Sequence, residues 1–286
     1  MTLPDAVREA AEHRLGVRIA GAAPVGGGCI SAAWRVQLED GSRLFLKTAP
    51  ANAPDGMLLE EALSLRRLAD TGTVRVPAVR AAAAHWLALE WLEPSRGSRE
   101  AWAGLGRALA RLHRHGAPQY GWESTNCIGP LPQANDWLTD WPSFWRERRL
   151  EPLLRRGAAR LGRETVSRAG RMLERLEERL GGAAGDGPSL LHGDLWNGNV
   201  HFTGGGAALI DPSSYYGHRE VDLAMAALFG GFAPEFFSAY AAEWPLLPGS
   251  ELRRPLYQLY YLLVHVNLFG GGYIAQTKAV LDALLR

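Results

Sequence analysis

Ser189 to Pro212 reads SLLHGDLWNGNVHFTGGGAALIDP, and it contains three residues able to hold a hard divalent cation: Asp194, Asn199 and Asp211. Leu190-Leu191 is predicted to be a short buried strand running into a polar loop, His192 to Asn199. Val200 to Phe202 follows as a strand, Thr203 to Gly206 as a turn, and Ala207 to Ile210 as the returning strand. A hairpin brings the chain back to the end at which it entered, so the loop before it and the residue after it lie side by side. The two aspartates therefore converge although seventeen positions separate them. Phosphoryl transfer needs a cation bridging phosphate oxygens and a separate carboxylate to orient the attacking hydroxyl. An aspartate, an asparagine five residues on, and an aspartate after a hairpin match that requirement in spacing as well as type. Each residue alone reads better as a turn cap around Gly193 or Gly198; it is the complete spacing that favours chemistry.

Lys47 is the second candidate. Of 31 basic residues only Lys47 and Lys278 are lysines, so lysine has given way to arginine almost everywhere. Lys278 fits a solvated place in a terminal helix. Lys47 instead ends the apolar run Leu44-Phe45-Leu46, on the strand where a kinase keeps the lysine that contacts the α- and β-phosphates. Gly26-Gly27-Gly28-Cys29-Ile30-Ser31 precedes it between two strands, where backbone N–H groups can approach phosphate oxygens. Taken alone, that glycine run reads better as a plain flexible hairpin loop. Glu60 and Glu61 open the next helix, and either could pair with Lys47; an acidic first turn is also what the helix dipole favours.

The elements that must position these residues fall into two groups. Up to residue 92 the chain reads mostly as strand: Val17–Val25, Trp34–Glu39, a turn at Asp40-Gly41, Leu44–Lys47, Val74–Val79 and Trp86–Leu92, with one helix at Met57–Ala69. From residue 93 it reads as helix: Arg99–His113, Trp145–Arg156, Glu164–Leu180, Val221–Phe229 and Leu256–Phe269, with a flexible break at Gly181–Pro188. The expected class is α+β, a β-rich lobe over 1–92 joined to a helical lobe over 93–286, with the site in the cleft between them. The arginine-rich helices carry charge runs that suit solvated faces.

Composition excludes several classes. The 286-residue chain has a formal net charge of +1, which offers nothing to nucleic acid. No apolar run approaches the ~20 residues of a membrane span, and Met1–Arg18 lacks an apolar signal core. Cys29 and Cys127 are too few for a disulfide framework. A cytoplasmic protein is expected, and its oligomeric state is left open.

GGGCIS at 26–31, TVRVP at 73–77, Lys47, HGDLWNGN at 192–199 and IDPSSYYGHREVDLAMAALFGGF at 210–232 together resemble the fructosamine (ketosamine-3-) kinase family. The HGDxxxxN pattern and its later aspartate are common to aminoglycoside-phosphotransferase-like kinases. The tryptophan in HGDLWNGN and the YYGHRE stretch are the more specific parts. The resemblance implies a two-lobed protein-kinase-like fold, with ATP at a hinge formed by Glu90-Trp91-Leu92 and two Mg²⁺ ions. It implies a ketosamine acceptor, phosphorylated on its sugar at O3. Asp194 then becomes the catalytic base, Asn199 and Asp211 the metal ligands, and Lys47 the phosphate anchor. Gly26, Gly27, Gly28 and Ser31 form the phosphate loop, and the family's helix register selects Glu61 over Glu60.

The chain differs from protein kinases in having His-Gly-Asp for His-Arg-Asp and Asp-Pro for Asp-Phe-Gly, with no activation-loop APE element, so control by activation-loop phosphorylation is not expected. Several other residues carry expectations. His192 should orient the loop backbone, and Trp196 either lines the sugar pocket or packs in the core. Tyr215, Tyr216, His218 and Arg219 either shape the acceptor site or tie the loop after Asp211 to its lobe. Asp222 should anchor the start of its helix, and Cys29 beside the phosphates is a possible redox switch. The rival acceptors are an aminoglycoside, choline or homoserine, and the rival from another class is an inactive nucleotide-binding regulator.

Overall fold

The computed structural model describes residues 2–26, 31–51 and 53–286. Helix α1 (Asp5–Leu15) ends on Gly16 in the left-handed region, and strands β1 (Ile19–Val25), β2 (Ala32–Leu38) and β3 (Arg43–Thr48) follow. Along β2, Trp34, Val36 and Leu38 are buried and Arg35 and Gln37 exposed, the alternation of a sheet with one wet face. Helix α2 (Met57–Asp70) then leads to β4 (Val79–Ala82) and β5 (Trp86–Glu90). The five strands form one antiparallel sheet in the order β1-β2-β3-β5-β4. Lys47 lies near its middle, opposite Ala33 on one side and Leu87 on the other.

The rest of the chain is mainly helical. It comprises α3 (Arg99–His113), the hairpin β6 (Asn126–Ile128) and β7 (Leu131–Gln133), α4 (Trp141–Phe144), α5 (Glu151–Leu161), α6 (Arg163–Leu173) and α7 (Leu176–Leu180). Strand β8 (Ser189–Leu190), the hairpin β9 (Val200–Thr203) and β10 (Gly206–Leu209), and β11 (Tyr216–Gly217) surround the loop nominated for chemistry. Helices α8 (Glu220–Leu228), α9 (Pro234–Glu243), α10 (Ser250–Leu268) and α11 (Gly272–Leu285) complete the molecule. This is the two-lobed, protein-kinase-like α+β fold expected.

The differences from expectation have local causes. Val74–Val79 is not a strand until Val79. Pro77 has no N–H to give a ladder, and the segment before it runs beside β10 instead, with Leu209 N–H donating to Arg75 O at 2.8 Å. Trp145–Leu150 is wound as a π-helix before α5, because Pro152 has no N–H to continue the regular ladder. Glu164–Leu180 is two helices rather than one; Arg146 captures the Leu173 carbonyl and ends α6 there. Gly181–Asp186 is a 3-10 turn, and Asp186 is tied down by Arg219 at 2.8 Å. Helices α1 and α9 and the β6–β7 hairpin had no sequence expectation.

Two cores hold these elements. A small one on one face of the sheet packs Trp34, Val36, Leu44, Leu46 and Ala88 under Ala11 of α1. The larger one runs from Leu58 and Leu65 of α2 and Leu87 and Leu89 of β5 through α3 to α10 and α11. Helix α2 is thus packed into the same core as the helical lobe, which fixes where it holds Glu61.

Candidate active site

The loop His192–Asn199 is built backwards from its neighbours. Gly193 has φ +85°, and a Cβ on it would lie 1.9 Å from Ser213 O, so only glycine lets the loop approach the segment after Asp211 so closely. The approach is closed by hydrogen bonds: Ser213 N–H donates to His192 O at 2.9 Å and Ile210 N–H to Asn199 O at 3.0 Å. The His192 ring spans the same gap, with Nε2 3.0 Å from Ile210 O and Nδ1 accepting from Asp194 N–H at 3.3 Å. Burial holds its pKa below the ordinary value, so it orients the backbone as a neutral ring. Tyr261, from α10, donates to Gly193 O at 2.8 Å.

Asp222 does not cap its own helix. It is fully buried within the first turn of α8, and its carboxylate accepts from His192 N–H at 2.7 Å and Gly193 N–H at 2.9 Å. The anchor expected at this position therefore serves the loop that carries Asp194.

The three nominated oxygen-bearing side chains meet. Asn199 Nδ2 donates to Asp194 O at 2.8 Å and lies 3.3 Å from Asp194 Oδ2, which leaves the Asn199 side-chain oxygen, Oδ1, for another partner. Asp211 is the only non-glycine among the described residues with positive φ, at +53°. Its Oδ1 lies 2.8 Å from Lys47 Nζ, a contact spanning 164 positions of sequence. Lys47 Nζ also lies 2.6 Å from Glu61 Oε2, whereas Glu60 accepts from Ser124 Oγ at 2.6 Å. Burial alone would lower the Lys47 pKa, but Asp211 and Glu61 outweigh it and hold the ammonium above its usual range. Burial, reinforced by the Asp211 charge, lifts the Asp194 carboxyl to about 7.

All of this faces a cavity of about 430 Å³ between the lobes. Gly26, Ser31, Lys47, Glu61, Glu90, Trp91, Leu92, Asp194, Asn199 and Asp211 line it. Gly27, Gly28 and Cys29 lie outside the described residues. The Glu90 carboxylate is turned to Arg75 and to Ala78 N–H, so at the linker it is the backbone that is left for a ligand. His201 Nε2 donates to Leu92 O at 3.1 Å and ties that linker to β9. One carboxylate and one side-chain amide oxygen fit a hard cation held largely by phosphate, since Mg²⁺ commonly takes one or two carboxylates plus substrate phosphates.

The fructosamine kinase family model matches residues 5–286. The chain is 40% identical over 271 residues to a probable ketoamine kinase from Synechocystis sp., covering 92% of this chain and 89% of that protein. It is 38% identical over 280 residues to a chloroplastic protein-ribulosamine 3-kinase of Oryza sativa subsp. japonica, covering 94% and 80%. The crystal structure of a candidate fructosamine-3-kinase from Thermobifida fusca superposes with a TM-score of 0.90 at 38% identity, over 99% of this chain and 100% of that one. The chain belongs to the fructosamine kinase family.

Likeness to more distant phosphotransferases is one of fold: the gentamicin complex of APH(2'')-IIa superposes with a TM-score of 0.63 at 14% identity. Within the fructosamine kinase fold, Trp196 is partly buried against the core and also lines the cavity; a Cβ on Gly198 would lie 2.2 Å from its ring. Tyr215, His218 and Arg219 are fully buried, and none of them nor Tyr216 lines the cavity. Sequence reasoning missed Asn126, Cys127 and Ser213 on the cavity wall. Asn126 and Cys127 arrive on a three-residue-per-strand hairpin, too short to leave a periodic signal, and Ser213 sits in the irregular segment between β10 and β11. Burial pushes the Cys127 thiol up to about 11.

Proposed function

We propose that this chain is an ATP- and Mg²⁺-dependent ketosamine kinase that phosphorylates a sugar hydroxyl of a glycated amine, with Asp194 as the general base. What carries the reading is the convergence of Asp194, Asn199, Asp211 and Lys47 on one cleft from two lobes of a fructosamine kinase fold. Asn199 and Asp211 would hold the cation, which supplies charge compensation on the phosphate oxygens. Lys47, steadied by Glu61, steers the α- and β-phosphates, and Gly26 and Ser31 line the same cavity. Asp194 accepts the proton of the acceptor hydroxyl as its oxygen bonds to the γ-phosphorus; the bond from that phosphorus to the β–γ bridging oxygen breaks, and ADP leaves. Positioning and electrostatics supply most of the rate.

The lobe boundary is placed at Leu92/Glu93, the acceptor is a small molecule, and the working compartment is the cytoplasm, where ATP is held. Among the described residues no helix is long and apolar enough to cross a membrane. An inactive regulator is disfavoured by the presence of all four reactive side chains.

The test is ATP consumption with fructosyl-lysine, ribulosyl-lysine, an aminoglycoside, choline and homoserine. Turnover is expected on the ketosamines, falling by about 10²–10⁴-fold in Asp194→Asn with ATP binding retained. Wild-type rates in Asp194→Asn would remove the base assignment; turnover on another acceptor alone would remove the ketosamine.

A further inference from the structure

Behind the catalytic loop runs a chain of buried hydrogen bonds that no step of the reaction uses. Arg219, from the YYGHRE stretch, has all five N–H donors engaged. Nε and one terminal nitrogen donate to Asp186 at 2.8 and 3.3 Å, Trp244 O and Pro245 O accept at 3.0 and 2.7 Å, and the last donor reaches Tyr240 Oη at 3.4 Å. Tyr240 Oη lies 2.8 Å from His113 Nδ1, His113 Nε2 lies 3.1 Å from Asp222 Oδ2, and Asp222 holds the amides of His192 and Gly193. Every side chain between Arg219 and Asp222 is buried from solvent.

The two ends fix the direction of every link. A guanidinium only donates and an ionised carboxylate only accepts. Arg219 therefore donates to the Tyr240 oxygen, and the Tyr240 O–H is free to point at His113 Nδ1. Nδ1 is then an acceptor, so the His113 proton sits on Nε2 and is donated to Asp222. Burial, with the Arg219 charge nearby, favours the neutral ring this requires. Asp222 is left as an anion with three donors, two of them the amides that precede Asp194.

We propose that Tyr240 is a positioning residue for catalysis: its hydroxyl satisfies Nδ1 of a neutral His113, which fixes the ring proton that Asp222 needs to hold the His192–Gly193 backbone and so the height of Asp194 in the cleft. The proposal rests on the kinase reading for its activity arm alone. Without the Tyr240 hydroxyl, Nδ1 is a buried lone pair with no donor, and the ring must turn, shift its proton or gain a second one. Each change alters what Asp222 receives.

The experiment combines kinetics with the ring itself. Tyr240→Phe, which keeps the packing, is expected to lower kcat by about 10-fold, as loss of one buried hydrogen bond warrants, with KM for ATP and acceptor within about twofold. In a His113→Gln background the side-chain amide can donate to Asp222 with no ring proton to place, and there Tyr240→Phe should cost less than about twofold. Long-range proton–nitrogen spectra of histidine-labelled protein should find the Nε2-protonated tautomer of His113 in the wild type and a displaced Nδ1 resonance in Tyr240→Phe. Equal losses in both backgrounds would mean that the Tyr240 hydroxyl acts through its other partner, Arg219, and not through His113, and a wild-type Nδ1–H, or an unmoved Nδ1 in Tyr240→Phe, would also overturn the proposal. Should His113→Gln fail to fold, or ketosamines fail as acceptors, the spectra still decide.

Discussion

Asp194 is a carboxyl pushed toward neutrality by burial and by the Asp211 charge, to about 7. That shift costs the metal-free fold stability, with a definite sign. Below the ordinary value of 3.8 the proton is held in both folded and unfolded chains and little penalty exists. As pH rises the unfolded carboxyl ionises first, so the penalty grows until the folded one ionises near 7. Asparagine has no such penalty. Metal-free Asp194→Asn should therefore melt above the wild type at pH 8, by roughly 2–4 °C per kcal/mol relieved, and by much less at pH 4. A melting-temperature difference that is the same at both pH values would show that the carboxyl titrates normally. At this scale the sequence was most legible where type and spacing coincide, as with Asp194, Asn199 and Asp211, or where rarity marks a residue, as with Lys47. Asp222 and Tyr240 act through contacts across 29 and 127 positions, and no local pattern records those.

At the scale of elements, the loop His192–Asn199 works because one backbone position can cross beneath Ser213. Gly193→Ala would place a methyl group 1.9 Å from a carbonyl oxygen at φ +85°. Strain and overlap together should cost about 2–4 kcal/mol. Gly205→Ala, at a hairpin tip with nothing nearer than 3.8 Å, should stay within about 0.5 kcal/mol. Urea titrations of the two variants check this, and equal midpoints would mean that the loop can retreat from Ser213. Hairpin β9–β10 could be read from the sequence because its turn glycines and alternating strands are local. The split of α6 from α7 could not, since the Arg146 side chain that ends α6 comes from 27 residues away. Helix α9 was missed because Pro234–Glu243 is apolar nearly all round, lacking the stripe that marks a half-buried helix.

Across the whole molecule, two lobes share one large core, with α2 and β5 anchored in it and the outer sheet face covered separately by α1. Composition and the change from strand to helix after residue 92 were enough to anticipate this architecture. They could not show that α2 belongs to the larger core, because its apolar stripe says that a face is buried and not against what. The depletion of lysine matters at this scale too. Sugars condense with unprotonated primary amines, while arginine side chains stay protonated. Lys47 is shut inside the cleft between two carboxylates, and Lys278 stands on the surface. A catalyst that works on sugar-damaged amines thus offers sugars almost no foothold of its own. Prolonged incubation with ribose, read by peptide mass mapping, should mark Lys278 and the amino terminus and spare Lys47; an adduct on Lys47 would show that the cleft opens wide enough to be poisoned by a free sugar.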